Sequence, residues 1–102
     1  MMEDFMPRFD PVIHAPHRLR ICAALNSVSE VEFQALREVA NVSESVLSKQ
    51  IKILEEAGYV TTTKGARDSR VRTWAQFTKA GRQAYRAHVA ALQEIVAGLP
   101  LK

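Results

Sequence analysis

The chain has 102 residues, 47% of them apolar and 25% charged, with a formal net charge of +3. That is the size and balance of one ordinary globular domain, and it excludes a disordered or fibrous chain. The longest apolar run, Ile21 to Leu25, is too short for a membrane-spanning helix, and the lone cysteine, Cys22, excludes an internal disulfide or a CxxC metal clip.

The opening stretch, MMEDFMPRFD, carries acids where a secretory signal needs cations, so a cytoplasmic location is expected. Pro7, Pro11 and Pro16 break up this part of the chain and predict an extended N-terminal arm over residues 1–13. Pro16 suits the first turn of a helix, where its missing N–H costs nothing. Leu19, Cys22 and Leu25 recur at helical spacing behind it, and Asn26 and Ser27 end the helix. Val31 and Phe33 alternate with Glu30 and Glu32 as a very short strand. Phe33, Leu36, Val39 and Ala40 then follow the helical period, giving a second helix from about Phe33 to Ala40. NVS makes a tight connection, with Val42 as an apolar plug.

Ser43 is placed to cap a third helix, in which Leu47, Ile51 and Leu54 share one face. Gly58 terminates it. YVTTTK and RVRTWAQF read as strands, with Gly65 and the polar ARDS between them as a hairpin loop. Thr78 caps a last helix from about Lys79 to Ala97. Along that helix Tyr85, His88, Leu92, Ile95 and Leu99 are spaced as a heptad seam. The expected fold is mainly α with a small β-hairpin, in the order α-β-α-α-β-β-α. Two short helices, a tight turn and a hairpin describe a winged helix-turn-helix in a single domain, residues 1–102.

Charge is distributed unevenly along this scaffold. From Met1 to Glu44 four Lys/Arg stand against seven Asp/Glu, whereas from Ser45 to Arg86 nine stand against three. Such a split directs one face at a polyanion, although an uneven scatter of surface cations gives the same count.

The stretch SESVLSKQIKILEEAGYV resembles the recognition helix of small MarR- and ArsR-type regulators. The shared pattern is a serine cap at Ser43, an apolar-Ser-cation triplet at Leu47-Ser48-Lys49, a buried Leu54 and the ending Glu56-Ala57-Gly58-Tyr59-Val60. DSRVRTWAQFTKAG is similar to the MarR-type wing, in which D-x-R leads through a strand to L-T-x-x-G. Asp68, Arg70, Thr78 and Gly81 fill those positions, Phe77 stands for the leucine, and the spacing is one residue longer. DPVIHAPHRLRI is similar to the opening of the short, single-domain members. The likeness runs from about Asp10 to Leu92.

With Leu47, Ile51 and Leu54 buried, a step of about 100° per residue puts Ser45, Lys49, Lys52 and Glu56 on the opposite face. In a helix-turn-helix the first residues of the second helix reach base edges in the major groove. Ser43, Ser45, Ser48, Lys49 and Lys52 are therefore the expected DNA contacts of the recognition helix, 43–57. Val46 reads as packing against the second helix rather than as a thymine contact. On the wing, 60–77, Arg70 is expected in the minor groove, with Asp68 holding its guanidinium, as the resemblance implies. Lys64, Arg67 and Arg72 are expected on phosphates. Trp74, at strand spacing, reads as core or interface rather than as a base-stacking aromatic.

The heptad over 79–99, with Tyr85, His88, Leu92, Ile95 and Leu99, predicts a homodimer. Folding back on the first helix is the competing use of the same face. A two-fold dimer spaces its recognition helices about 34 Å apart and so predicts an inverted-repeat operator in double-stranded DNA.

His14, His17, His88 and Cys22 offer imidazoles and one thiol, but no second cysteine or acidic pair stands nearby, so no metal and no cofactor is expected. Cys22, on the apolar face of the first helix, reads as inert core rather than a redox switch. The absence of a nucleophile–base pattern or a phosphate-binding glycine loop argues against an enzyme. The function expected is a sequence-specific, dimeric transcriptional regulator acting as a repressor. A winged-helix module for protein–protein contact and a non-specific architectural DNA-binding protein are the alternatives.

Overall fold

Asp10 starts the first helix of the computed structural model, which describes residues 6–98, with Arg67 described by its backbone. The Asp10 carboxylate Oδ1 accepts from the N–H groups of Val12 at 2.9 Å and Ile13 at 3.4 Å. Together with Pro11 at the first helical position, this cap closes a short turn, α1 (Pro11–His14). Here the extended arm expected over 1–13 is corrected for residues 11–13. A proline breaks a helix only from inside; Pro11 and Pro16 each open one, and the fully buried Ile13 between them anchors the segment.

The next helix, α2 (Pro16–Asn26), buries Ile21, Cys22 and Leu25. The short strand β1 (Val31–Glu32) leads directly into α3 (Phe33–Ala40). Asn41 leaves α3 in the left-handed conformation, φ 57° and ψ 53°, which asparagine tolerates better than most side chains. Ser43 then caps α4 (Glu44–Glu56), its hydroxyl accepting from the N–H of Val46. The expected stripe of α4 is the one that seats it: Leu47 and Leu54 are fully buried and Ile51 is 2% exposed. Each such side chain contributes about 1.5–3 kcal/mol by leaving water.

The strands β2 (Val60–Arg67) and β3 (Arg70–Phe77) form the hairpin, and β1 pairs on the far side of β3, so the antiparallel sheet runs β1-β3-β2. Pairing is continuous from Val60↔Phe77 to Arg67↔Arg70. The loop is therefore two residues, Asp68 and Ser69, with φ of 54° and 64°. Positive φ at both positions is the primed turn whose twist matches that of the strands. Gly65, expected in the loop, lies in β2 opposite Arg72. Its missing side chain has a use there, because a Cβ would come 3.3 Å from the Trp74 ring. Trp74 is half-buried, with its ring lying against Gly65 on the hairpin and not in the core cluster.

The last helix, α5 (Lys79–Val96), is joined to the end of α4 at close quarters. Gly58, at φ 82°, closes α4: the N–H of Tyr59 donates back to Leu54 and that of Gly58 to Glu55. The Thr78 hydroxyl caps α5 by accepting from Gly81 N–H at 3.0 Å while donating to the Gly58 carbonyl at 2.7 Å. Thr78 N–H in turn donates to Tyr59 O at 2.9 Å. Gly81 is buried in this joint, with space for no Cβ.

Candidate nucleic-acid interface

Because α4 is held by Leu47, Ile51 and Leu54, its other face is fixed outward. Ser43, Ser45, Ser48, Lys49 and Lys52 are all exposed along it, and Val46 is half-buried on the flank. Across a groove from α4 lies the wing, with Lys64 exposed on β2 and Thr62 donating to Glu55 at 3.1 Å. That bond ties the C-terminal half of α4 to β2. Glu44, Ser48, Lys52, Glu55 and Lys64 line the groove, so the cations are interrupted by two carboxylates that the reading of cationic positions passed over.

Arg67 and Arg70 face one another across the two-residue turn, with Arg70 exposed. The expected role of Asp68 is corrected. Among the described residues Asp68 makes no hydrogen bond or ion pair with Arg70, and its backbone is instead given to the turn at φ 54°. The wing guanidinium held by a carboxylate is Arg72, paired with Glu32 of β1 at 2.5 Å. Both side chains are 31% exposed. Arg72, expected on a phosphate, is therefore committed to bracing β3 against β1. The antiparallel register, Glu32↔Trp74, puts the two side chains within reach; only the strand pairing, not the spacing along the chain, reveals this.

The heptad divides. His88 is corrected from a dimer contact to an internal one: it is fully buried, with Nδ1 accepting from Asp10 N–H at 2.9 Å and Nε2 at 3.2 Å from His14 Nδ1. Tyr85 is half-buried against the core, its ring 6.1 Å from that of Phe77. Leu92 is half-buried, whereas Ile95 is 61% and Val96 83% exposed. Leu99 lies outside the described residues. The first part of the seam, Tyr85 and His88, thus serves this chain's own core, and Ile95 does not.

Among the described residues no group of three or more His, Cys, Asp or Glu side chains is arranged to hold a metal ion. Cys22 is fully buried, and burial, with the nearby Asp10 carboxylate, pushes its thiol up to about 12 against a smaller opposing pull from Arg18. Such a thiol is core, not a switch. Among the same residues no helix is long and apolar enough to cross a membrane.

Sequence reasoning did not find two links that steady α4. Arg18 of α2 donates from Nε to the Val12 carbonyl at 2.5 Å and from its terminal nitrogen to Gln50 of α4 at 2.7 Å. Tyr59, just past α4, donates its hydroxyl proton to Asp10 Oδ2 at 2.6 Å. Both join residues more than thirty positions apart, beyond what periodicity reports.

The arrangement matches known proteins. A family model for a winged helix DNA-binding domain matches residues 17–96. An uncharacterised protein of Methanocaldococcus jannaschii is 35% identical over 72 residues, which are 71% of this chain and 78% of that protein. The structure of a transcriptional regulator homologue from Pyrococcus horikoshii superposes with a TM-score of 0.79 at 28% identity, covering 88% of this chain and 89% of the other. A MarR family transcriptional regulator from Silicibacter pomeroyi gives 0.67 at 20% identity over 88% of this chain and 60% of its own. Lactococcus lactis ZitR, a mutant form solved in complex with DNA, gives 0.61 at 14% identity over 95% of this chain and 66% of its own. These last two show the fold alone. Buried stripe, outward serines and lysines, wing and family model agree: the chain belongs to the winged helix DNA-binding domain family, a family of DNA-binding regulators and not of enzymes.

Proposed function

We propose that the protein is a cytoplasmic, sequence-specific transcriptional regulator of double-stranded DNA, acting as a homodimeric repressor that occupies promoter DNA. One observation carries this reading: the outward face of α4 presents Ser45, Ser48, Lys49 and Lys52 beside Lys64 and Arg70 on the wing, all exposed. The serines are small donors and acceptors for base edges, and the lysines are cations for phosphates. Arg70 at the tip of a narrow two-residue turn has the shape to enter a minor groove.

The dimer is supported by what α5 leaves uncovered. Ile95 and Val96, at the C-terminal end of α5, are 61% and 83% exposed. Pairing of two such surfaces would set two recognition helices on an inverted repeat. Leu92→Asp is expected to give monomers in sedimentation velocity and to weaken DNA binding at least tenfold, with the fold retained by circular dichroism. A dimer that survives the substitution would move the interface elsewhere.

The function is tested by titrating the protein onto the upstream region of its own gene against random competitor duplex. Preference for the upstream fragment supports a sequence-specific regulator. Equal affinity for both would indicate an architectural protein, and no binding to either would favour a protein-interaction module.

A further inference from the structure

The N-terminal segment touches both the proposed dimer helix and the helix proposed to read DNA. Asp10 stands at the junction. Its N–H donates to His88 of α5, its Oδ1 caps α1, and its Oδ2 accepts from Tyr59, the residue after the Gly58 that closes α4. His88 is fully buried, and on its other side its Nε2 meets Nδ1 of His14 at 3.2 Å. Phe9 covers the pair, its ring centroid 4.7 Å from that of His14 and 4.8 Å from that of His88.

The proton count of this pair is fixed by its partners. A His88 Nδ1 that accepts from a backbone N–H places the ring's one proton on Nε2, which makes Nδ1 of His14 the acceptor and leaves the His14 proton on its Nε2. Two hydrogen bonds result with both rings neutral. One added proton has no place. On His88 Nδ1 it meets the Asp10 N–H. On His14 Nδ1 it meets the Nε2 proton of His88, unless that proton shifts to Nδ1 and again breaks the bond to Asp10.

The neighbouring groups act in both directions. Burial lowers the pKa of His88 below 6.5, the positive charge of a protonated His14 lowers it further, and the Asp10 carboxylate opposes them. The Tyr59 phenol, donating to Asp10, is pushed up to about 12, the Cys22 thiol to about 12, and the Tyr85 phenol is raised by burial, so all three stay neutral. Arg8 on the N-terminal segment and Arg18 on α2 are the fixed cations near Tyr59 and Cys22 respectively.

We propose that Asp10 is a positioning residue for the recognition helix, held in place by a His88–His14 clasp that opens on proton uptake and weakens DNA binding. The inference rests on the DNA-binding reading. A depressed histidine favours the folded, clasped state when neutral. That contribution is complete above pH 6.5 and is lost as the pH falls through the folded-state value. The sign is diagnostic, since added positive charge by itself would strengthen attraction to DNA.

The test is to measure affinity for the upstream duplex between about pH 7.5 and pH 5.5 at constant ionic strength, and to follow the Tyr59 amide and His88 ring resonances in the free protein over the same range. Affinity is expected to fall about tenfold, and the Tyr59 amide to titrate with the His88 ring. His88→Asn supplies an amide oxygen to Asp10 N–H and does not titrate; it is expected to flatten the fall. Tyr59→Phe leaves the clasp intact but cuts its link to α4, and is expected to weaken binding at the higher pH and also flatten the response. Affinity that is constant or rises on acidification overturns the proposal, as does a Tyr59→Phe variant with the full pH response. Failure to bind DNA at any pH would remove the DNA reading instead; the clasp would then stand or fall on whether the Tyr59 amide follows His88.

Discussion

Gly81→Ala is expected to destabilise the protein by about 3 kcal/mol, read as a lower denaturant midpoint at unchanged slope. An added Cβ would lie 2.1 Å from the Tyr59 carbonyl oxygen, 2.8 Å from its carbon and 2.9 Å from Phe77 Cδ1. Two of those atoms are backbone, so relief requires separating α5 from the end of α4. Alanine's better helix propensity recovers only about 1 kcal/mol. Gly58→Ala is the control. Nothing lies within 4 Å of its would-be Cβ, and its φ of 82° leaves only left-handed strain, about 1–2 kcal/mol. Equal effects at the two glycines would mean that the close approach at Gly81 does not fix the joint. Function follows from the same joint, because it sets the angle between the proposed reading helix and the proposed dimer helix.

The second large effect concerns DNA. Lys49→Ala and Arg70→Ala are each expected to weaken binding to the upstream duplex about tenfold or more, with the melting temperature unchanged. Both side chains are exposed, so neither truncation opens a cavity. Loss of one DNA-bound cation from each of the two copies should flatten the log–log salt dependence by about two units. Arg72→Ala is expected to behave differently. Its guanidinium is held by Glu32, so the variant should leave the salt dependence nearly unchanged and loosen β1 from β3. Equal losses at Arg70 and Arg72 would contradict this division of labour on the wing.

Periodicity and capping carried most of the fold. Leu47, Ile51 and Leu54 marked the buried side of α4, Ser43 and Thr78 marked helix starts, and Gly58 marked a helix end, each through a local rule that needs no knowledge of the tertiary structure. The outward positions of Ser45, Ser48, Lys49 and Lys52 followed from the same stripe. What stayed hidden depends on partners distant in the chain. The heptad at Tyr85 and His88 has the spacing of an intermolecular seam, yet the N-terminal segment covers the His88 ring from within and Tyr85 packs against the core beside Phe77. Asp68 resembles a guanidinium partner, but its positive φ shows it was needed for a two-residue turn, while Glu32 reached Arg72 through a strand pairing. Pro11 illustrates the remaining ambiguity. The same residue that interrupts a helix also opens one when an aspartate stands before it.

The central claim is that the outward face of α4 and the wing hold duplex DNA. Its most direct measurement is the affinity of the full chain for the upstream duplex over a salt series. With about eight phosphate contacts in a dimer, log affinity should fall against log salt with a slope near −7. A salt-insensitive interaction, or none at low salt, would contradict the account.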